Sequence, residues 1–107
     1  MTLSERRRFR RVPLPAQIQA EAGGAAYSVR AENISAGGML LRAERTLEQN
    51  QKVSLRFMLP GTKKEIQVTG VVLHVSPGAF MGISFENLSD EAKTAIQAFV
   101  ESNEPVE

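Results

Sequence analysis

Val53-Ser54-Leu55-Arg56-Phe57-Met58-Leu59 puts four apolar side chains on one face of an extended chain, with Ser54, Arg56 and Met58 on the other. That strict period of two predicts a strand with one face on a core and one toward solvent. Pro60-Gly61 follows as a turn. Downstream, Ile66, Val68, Gly70 and Val72 share one face of a longer strand, and Val71, Leu73 and Val75 the other, so part of it is expected to be covered on both sides. Ser76-Pro77-Gly78 marks the next turn, and Phe80 to Phe85 reads as a last strand with Ile83 and Phe85 on one face.

Upstream, the same period holds in shorter pieces. Ile18 lies inside an alternating stretch from Ala16 to Ala22, and Gly23-Gly24 signals a turn. Tyr27 and Val29 alternate with Ser28 and Arg30, and Met39-Leu40-Leu41 begins a strand after the Gly37-Gly38 break. Past Phe85 the period changes. Leu88, Ala92, Ala95, Ile96, Phe99 and Val100 fall at helical spacing, with Ser89 as N-cap and Asp90 and Glu91 at the positive end of the helix dipole.

Six short strands and one helix predict a mainly β fold, a six-stranded antiparallel barrel, closed or split, with one C-terminal α-helix. Closure protects edges that short strands otherwise expose. The helix is expected to lay its apolar stripe on the barrel or on a neighbouring subunit. Residues 1–12 lack apolar periodicity and read as a basic arm. Pro13 and Pro15 end any helix there. The expected body is 13–102, with a frayed tail at 103–107 that Pro105 keeps from being helical.

The chain has 107 residues, enough for one domain with one modest core. Hydrophobic residues make up 42% and charged residues 23%, ordinary for a soluble globular domain. Cysteine is absent, which excludes disulfides, a thiol nucleophile and a thiolate metal site. No apolar run reaches membrane-helix length, none follows the basic N-terminus as in a secretory signal, and a cytoplasmic location is expected. The net charge of +1 conceals an asymmetry. Residues 1–11 hold five arginines and one glutamate, a net +4, while the rest of the chain is net −3. An anionic partner is therefore expected to meet the arm.

Catalysis is poorly supplied. His74 is the sole histidine and Asp90 the sole aspartate, and nothing in the sequence brings them together. Neither metal ligands nor an enzymatic function is expected. The arginine run admits three readings: a solvated basic tail, a nonspecific phosphate binder, or a clamp for one defined ligand. Guanidinium is planar, permanently charged and able to grip phosphate or a guanine O6/N7 edge with two bonds. Fully extended, Arg7 and Arg11 stand about 13 Å apart, and a turn brings them closer. Asn33 and Ser35 either share a face if extended or cap a turn with their side chains. Gly38 either adopts a positive φ or leaves room for a ligand.

The pieces Arg7-Arg8-Phe9-Arg10-Arg11 and Asn33-Ile34-Ser35-Ala36-Gly37-Gly38, in that order, resemble the paired motifs of the PilZ domain family. The stretch from Glu5 to about Val100 is similar to the family throughout, including Gly70-Val-Val-Leu-His74 and Gly82-Ile-Ser-Phe85. The resemblance implies a receptor for cyclic di-GMP, a bacterial second messenger, which would sit on the outer surface of a six-stranded barrel. It implies that Arg7 and Arg11 grip guanine edges and phosphates. Asn33, in place of the commoner Asp, and Ser35 would bond the other guanine, and Gly38 would keep the surface open. Arg6 stands where the family binds a stacked pair of ligands. The expected partners are thus cyclic di-GMP and a downstream protein, with neither membrane insertion nor a resident cofactor. A small-barrel binder of RNA or DNA, and a PilZ-like interaction module that binds no ligand, are the alternatives.

Overall fold

The computed structural model describes residues 10–43, 47–62, 64–76 and 79–103. Arm residues 1–9, the Pro77-Gly78 part of the expected turn and Pro105 lie outside the described residues. Seven strands are described: β1 (Val12–Pro13), β2 (Gln17–Ala22), β3 (Ala25–Ile34), β4 (Gly38–Arg42), β5 (Lys52–Met58), β6 (Glu65–Ser76) and β7 (Phe80–Glu86). One helix, α1 (Asp90–Glu101), follows among the described residues.

All neighbouring strands are antiparallel, in the order β3-β2-β5-β6-β7-β4, and β4 pairs back onto β3. That last pairing closes a six-stranded barrel, as the strand count predicts. Gly23 and Gly24 have φ of 59° and 81°, the double positive φ that joins β2 to β3 in two residues. At Pro60-Gly61 the Thr62 amide donates to the Leu59 carbonyl at 3.1 Å, closing the turn after β5.

The alternation read from β5 holds: Val53, Leu55, Phe57 and the following Leu59 are buried. Ile18 and Ala20, Met39 and Leu41, Ile66, Val68 and Val72, and Met81 and Ile83 join them in one core. The helix turns Ala92, Ile96 and Val100 into that same core, so its apolar stripe is used within the chain. Burying a side chain such as Ile96 contributes about 1.5–3 kcal/mol, and Ile96→Ala would cost more through the cavity it leaves. The Ser89 side chain caps the helix by accepting from the Ala92 amide at 3.1 Å.

One feature departs from the sequence reading. Val12–Pro13 forms a seventh, two-residue strand against Asn33 and Ile34, and Val12 is fully buried, so packed structure begins inside the stretch read as arm. Proline is tolerated there because β1 is a short edge piece. On β6, Val71 and Val75 are half-buried, so part of the strand is covered on both faces as expected, while the rest of the outer face is open. The register shifts between Val72 and His74, leaving Leu73 44% exposed.

Candidate functional site

Asn33 stands near the end of β3, where β1 pairs on one side and β4 on the other. Arg11 immediately precedes β1, which carries it alongside Asn33. The Arg11 guanidinium donates through Nη1 to Asn33 Oδ1 at 2.8 Å, across 22 residues of sequence. Because Oδ1 is engaged, the amide presents Nδ2, a pure donor, to the rest of the surface. Arg11 is exposed and Asn33 half-buried, and the bond lies at the solvent-facing surface, so it orients the two side chains more than it stabilises the fold.

The chain then turns from β3 into β4 through Ser35, Ala36 and Gly37. The Ser35 amide donates to the Gly38 carbonyl at 2.8 Å, and the Gly37 amide donates to Ser35 Oγ at 3.2 Å. Ser35 Oγ in turn donates to the Gly38 carbonyl at 3.4 Å. Ser35 is 1% exposed, the one buried polar residue among the described residues. Of the two sequence readings, capping of a turn is the geometry present: the hydroxyl ties the turn together from within. The Gly37 carbonyl also accepts from the Phe85 amide at 2.9 Å, fastening the turn to β7.

Gly38 needs its missing side chain for a reason other than φ. Its φ is not positive, and a Cβ there would collide with the carbonyl oxygen of Ile83. Strand β7 crosses so close that only glycine fits; this is a packing requirement beneath the site.

Two neighbouring cations escaped the sequence reading because only the folded register brings them in. Arg10 donates through Nη2 to the Asn103 carbonyl at 2.9 Å, joining the arm's base to the end of α1. Arg42 pairs with Glu32 at 3.0 Å, and its guanidinium lies 5.4 Å from the centre of the Phe80 ring. This fixes a further cation one strand from Asn33. Arg6 and Arg7 lie outside the described residues, so the folded register places only Arg11, Asn33, Ser35 and Gly38 of the expected set.

The described surface holds several grooves. One, between the Ser35–Gly38 turn and the helix, is lined by Ala36, Gly37, Phe85, Leu88, Lys93 and Gln97. Another crosses the outer face of β2, β5 and β6 and holds none of the motif residues. Among the described residues no group of three or more His, Asp or Glu gathers as metal ligands. No helix among them is long and apolar enough to cross a membrane.

A family model described as PilZ domain matches residues 5–102. No curated protein matches the chain. Among solved structures, the chain is similar to the Bacillus subtilis inhibitor of motility MotI/DgrA, with a TM-score of 0.80 and 17% identity over 90% of this chain and 50% of that one. It is similar to the PilZ domain of YcgR from Escherichia coli, solved with c-di-GMP, with a TM-score of 0.73 and 18% identity over 92% of this chain and 91% of that one. The PlzA protein of Borreliella burgdorferi, in complex with c-di-GMP, gives a TM-score of 0.63 and 17% identity over 90% of this chain and 36% of that one. The chain thus spans half the length of MotI/DgrA and about a third of PlzA. At these identities the likeness is one of fold.

Proposed function

The chain belongs to the PilZ domain family, and from that premise we propose that it is a receptor for cyclic di-GMP that binds the messenger without hydrolysing it. The observation that carries the reading is the 2.8 Å bond from Arg11 to Asn33, which joins the two family motifs on one outward face of the barrel. A guanidinium beside an amide that presents Nδ2 suits a ligand with guanine O6/N7 edges and phosphates. Members of the family hold this ligand, the YcgR PilZ domain and PlzA among them.

In this proposal Arg7 and Arg11 grip phosphate and guanine, and Asn33 donates to a guanine edge. Ser35 acts chiefly by shaping the turn, since a direct bond to ligand requires its buried hydroxyl to leave the Gly38 carbonyl. Gly38 lets β7 pass beneath. Arg6 adds a cation and stacking plane for a second ligand, giving a stacked pair. Each ligand brings two negative charges to an arm of net +4, and ligand binding orders that arm across the Asn33–Gly38 surface. Ordering costs about 1–2 kcal/mol for each residue fixed. A downstream protein in the cytoplasm then reads the composite of arm, ligand and barrel.

The experiment that separates this from a nucleic-acid binder is a melting-temperature titration with cyclic di-GMP and with a single-stranded oligonucleotide. The messenger alone is expected to raise the melting temperature. A shift with the oligonucleotide alone would replace the proposal with the nucleic-acid reading.

A further inference from the structure

The groove between the Ser35–Gly38 turn and α1 has a volume of about 470 Å³ and two apolar side chains in its lining. Phe85, near the end of β7, and Leu88, just before the helix, pack half-buried against the core and leave their remaining surface to the groove. Ala36 and Gly37 of the turn line one side, and Lys93 and Gln97, one helical turn apart, line the other.

The basic arm starts beside this groove. Arg10, the first described residue, donates to the Asn103 carbonyl at the end of the helix that supplies Lys93 and Gln97. Gln97 lies six residues before Asn103, about 9 Å along the axis. Nine residues precede Arg10, and the one joined to it is Phe9, the sole apolar residue among positions 4–11. β1 runs antiparallel to β3 with Val12 on Ile34 and Pro13 on Asn33, and the same count carried on sets position 9 at the level of Gly37. Charge favours the same segment. Helix α1 carries Asp90, Glu91 and Glu101 against Lys93, a net −2, so it attracts an arm of net +4 and disfavours the acidic tail at 104–107.

We infer that Phe9 seats in this groove, on Phe85 and Leu88, and pins the base of the arm in the free protein as well as the bound one. With Arg10 already held, seating Phe9 fixes about one further residue, and burial of an aromatic side chain outweighs that ordering cost. Phe9 stands midway between Arg7 and Arg11, two residues from each. Pinning it keeps Arg7 within two residues of a fixed point, so less ordering remains to be offset when ligand binds. Phe9 is thus a positioning residue: it touches the groove, and the arginines touch the ligand. This consequence rests on the cyclic di-GMP reading above, whereas the docking stands apart from it.

The test uses the full chain. NOEs from the Phe9 ring are recorded in the free protein and in the complex, and Phe9→Ala and Phe9→Leu are compared with wild type by calorimetry with cyclic di-GMP. Ring NOEs to the Leu88 methyls and the Phe85 ring are expected without ligand. Phe9→Ala should bind roughly tenfold more weakly, and Phe9→Leu should recover most of that loss because an aliphatic side chain still fills the groove. Phe9 NOEs confined to its sequence neighbours, or directed to the ligand in place of the groove, overturn the docking. NOEs from Val106 to Leu88 give the groove to the tail, and NOEs seen only between differently labelled copies give it to a second copy; either overturns the inference. Groove NOEs with wild-type affinity in Phe9→Ala overturn the positioning role. If wild type binds no cyclic di-GMP, the receptor reading fails and the positioning role with it, while the groove NOEs still decide the docking.

Discussion

Arg10 and Asn103 are 93 residues apart in sequence, yet the guanidinium of one donates to the backbone carbonyl of the other at 2.9 Å. Helix α1 has no basic residue in its last turn. Arg10 therefore supplies, from the other end of the chain, the cation that the negative end of the helix dipole favours. Arg10→Ala should lower stability by about 0.3–1 kcal/mol and speed amide exchange in Phe99–Glu101. Unchanged exchange in that turn would show that Arg10 does not hold it.

The binding residues should rank by charge. Arg11→Ala is expected to weaken cyclic di-GMP binding by about 2–4 kcal/mol, and Arg7→Ala comparably, since each leaves a ligand anion or edge unpaired. Asn33→Ala, removing neutral bonds, should cost about 1–2 kcal/mol. Arg8→Ala should be nearly silent. Calorimetry on the four variants reads this order directly, and a larger loss at Arg8 than at Arg7 would put the arginine register in error.

Gly38 and Ser35 should report on the fold before they report on ligand. A methyl at Gly38 must displace the backbone of β7, so Gly38→Ala is expected to destabilise by about 1–3 kcal/mol or more, read as a lower melting temperature. Ser35→Ala leaves the Gly37 amide without its partner inside the turn and should cost about 1–3 kcal/mol. Wild-type melting temperatures in both variants would contradict the packing account of this turn.

Tyr27 sets an alkaline limit. Its hydroxyl is buried without a hydrogen-bond partner, and burial pushes its pKa above the usual tyrosine value of about 10. The folded protein therefore keeps the phenolic proton in a range where the unfolded chain has lost it. Tyr27's contribution to stability is full below about pH 10 and is lost as pH rises through the folded-state value. As the sole tyrosine, it can be followed by tyrosinate absorbance. Tyr27→Phe should flatten this alkaline decline and change neutral-pH stability by no more than about 1 kcal/mol. A decline that survives in Tyr27→Phe would assign it to another group.

Most of the barrel was legible because its signal is local. The alternation of Val53–Leu59, the Gly23-Gly24 turn and the Leu88–Val100 periodicity each need only a few consecutive residues. What was not legible depends on partners. The strand Val12–Pro13 exists because Ile34 and Asn33 lie opposite it, and two residues carry no period. The bulges beside Asn33 and His74 depend on register with β4 and β7, so the exposure of Leu73 and His74 could not be read from β6 alone. At the site, the motif spacing named Arg11, Asn33, Ser35 and Gly38, and the fold brings Arg11 onto Asn33. The spacing did not reveal that Ser35 faces inward, that Gly38 answers to Ile83, or that Arg10 reaches Asn103. Each of these is a contact across distant sequence.

Calorimetric titration of the wild-type chain with cyclic di-GMP, run beside Arg11→Ala, tests the central claim most directly. The account predicts saturable binding in the micromolar range or tighter, about −8 kcal/mol or below, at two ligands per chain. It also predicts a loss of about 2–4 kcal/mol in Arg11→Ala at an unchanged melting temperature. A ratio of one ligand per chain would reject the stacked pair alone. Absence of wild-type binding, or equal affinity in Arg11→Ala, would contradict the assignment of this face as the receptor site.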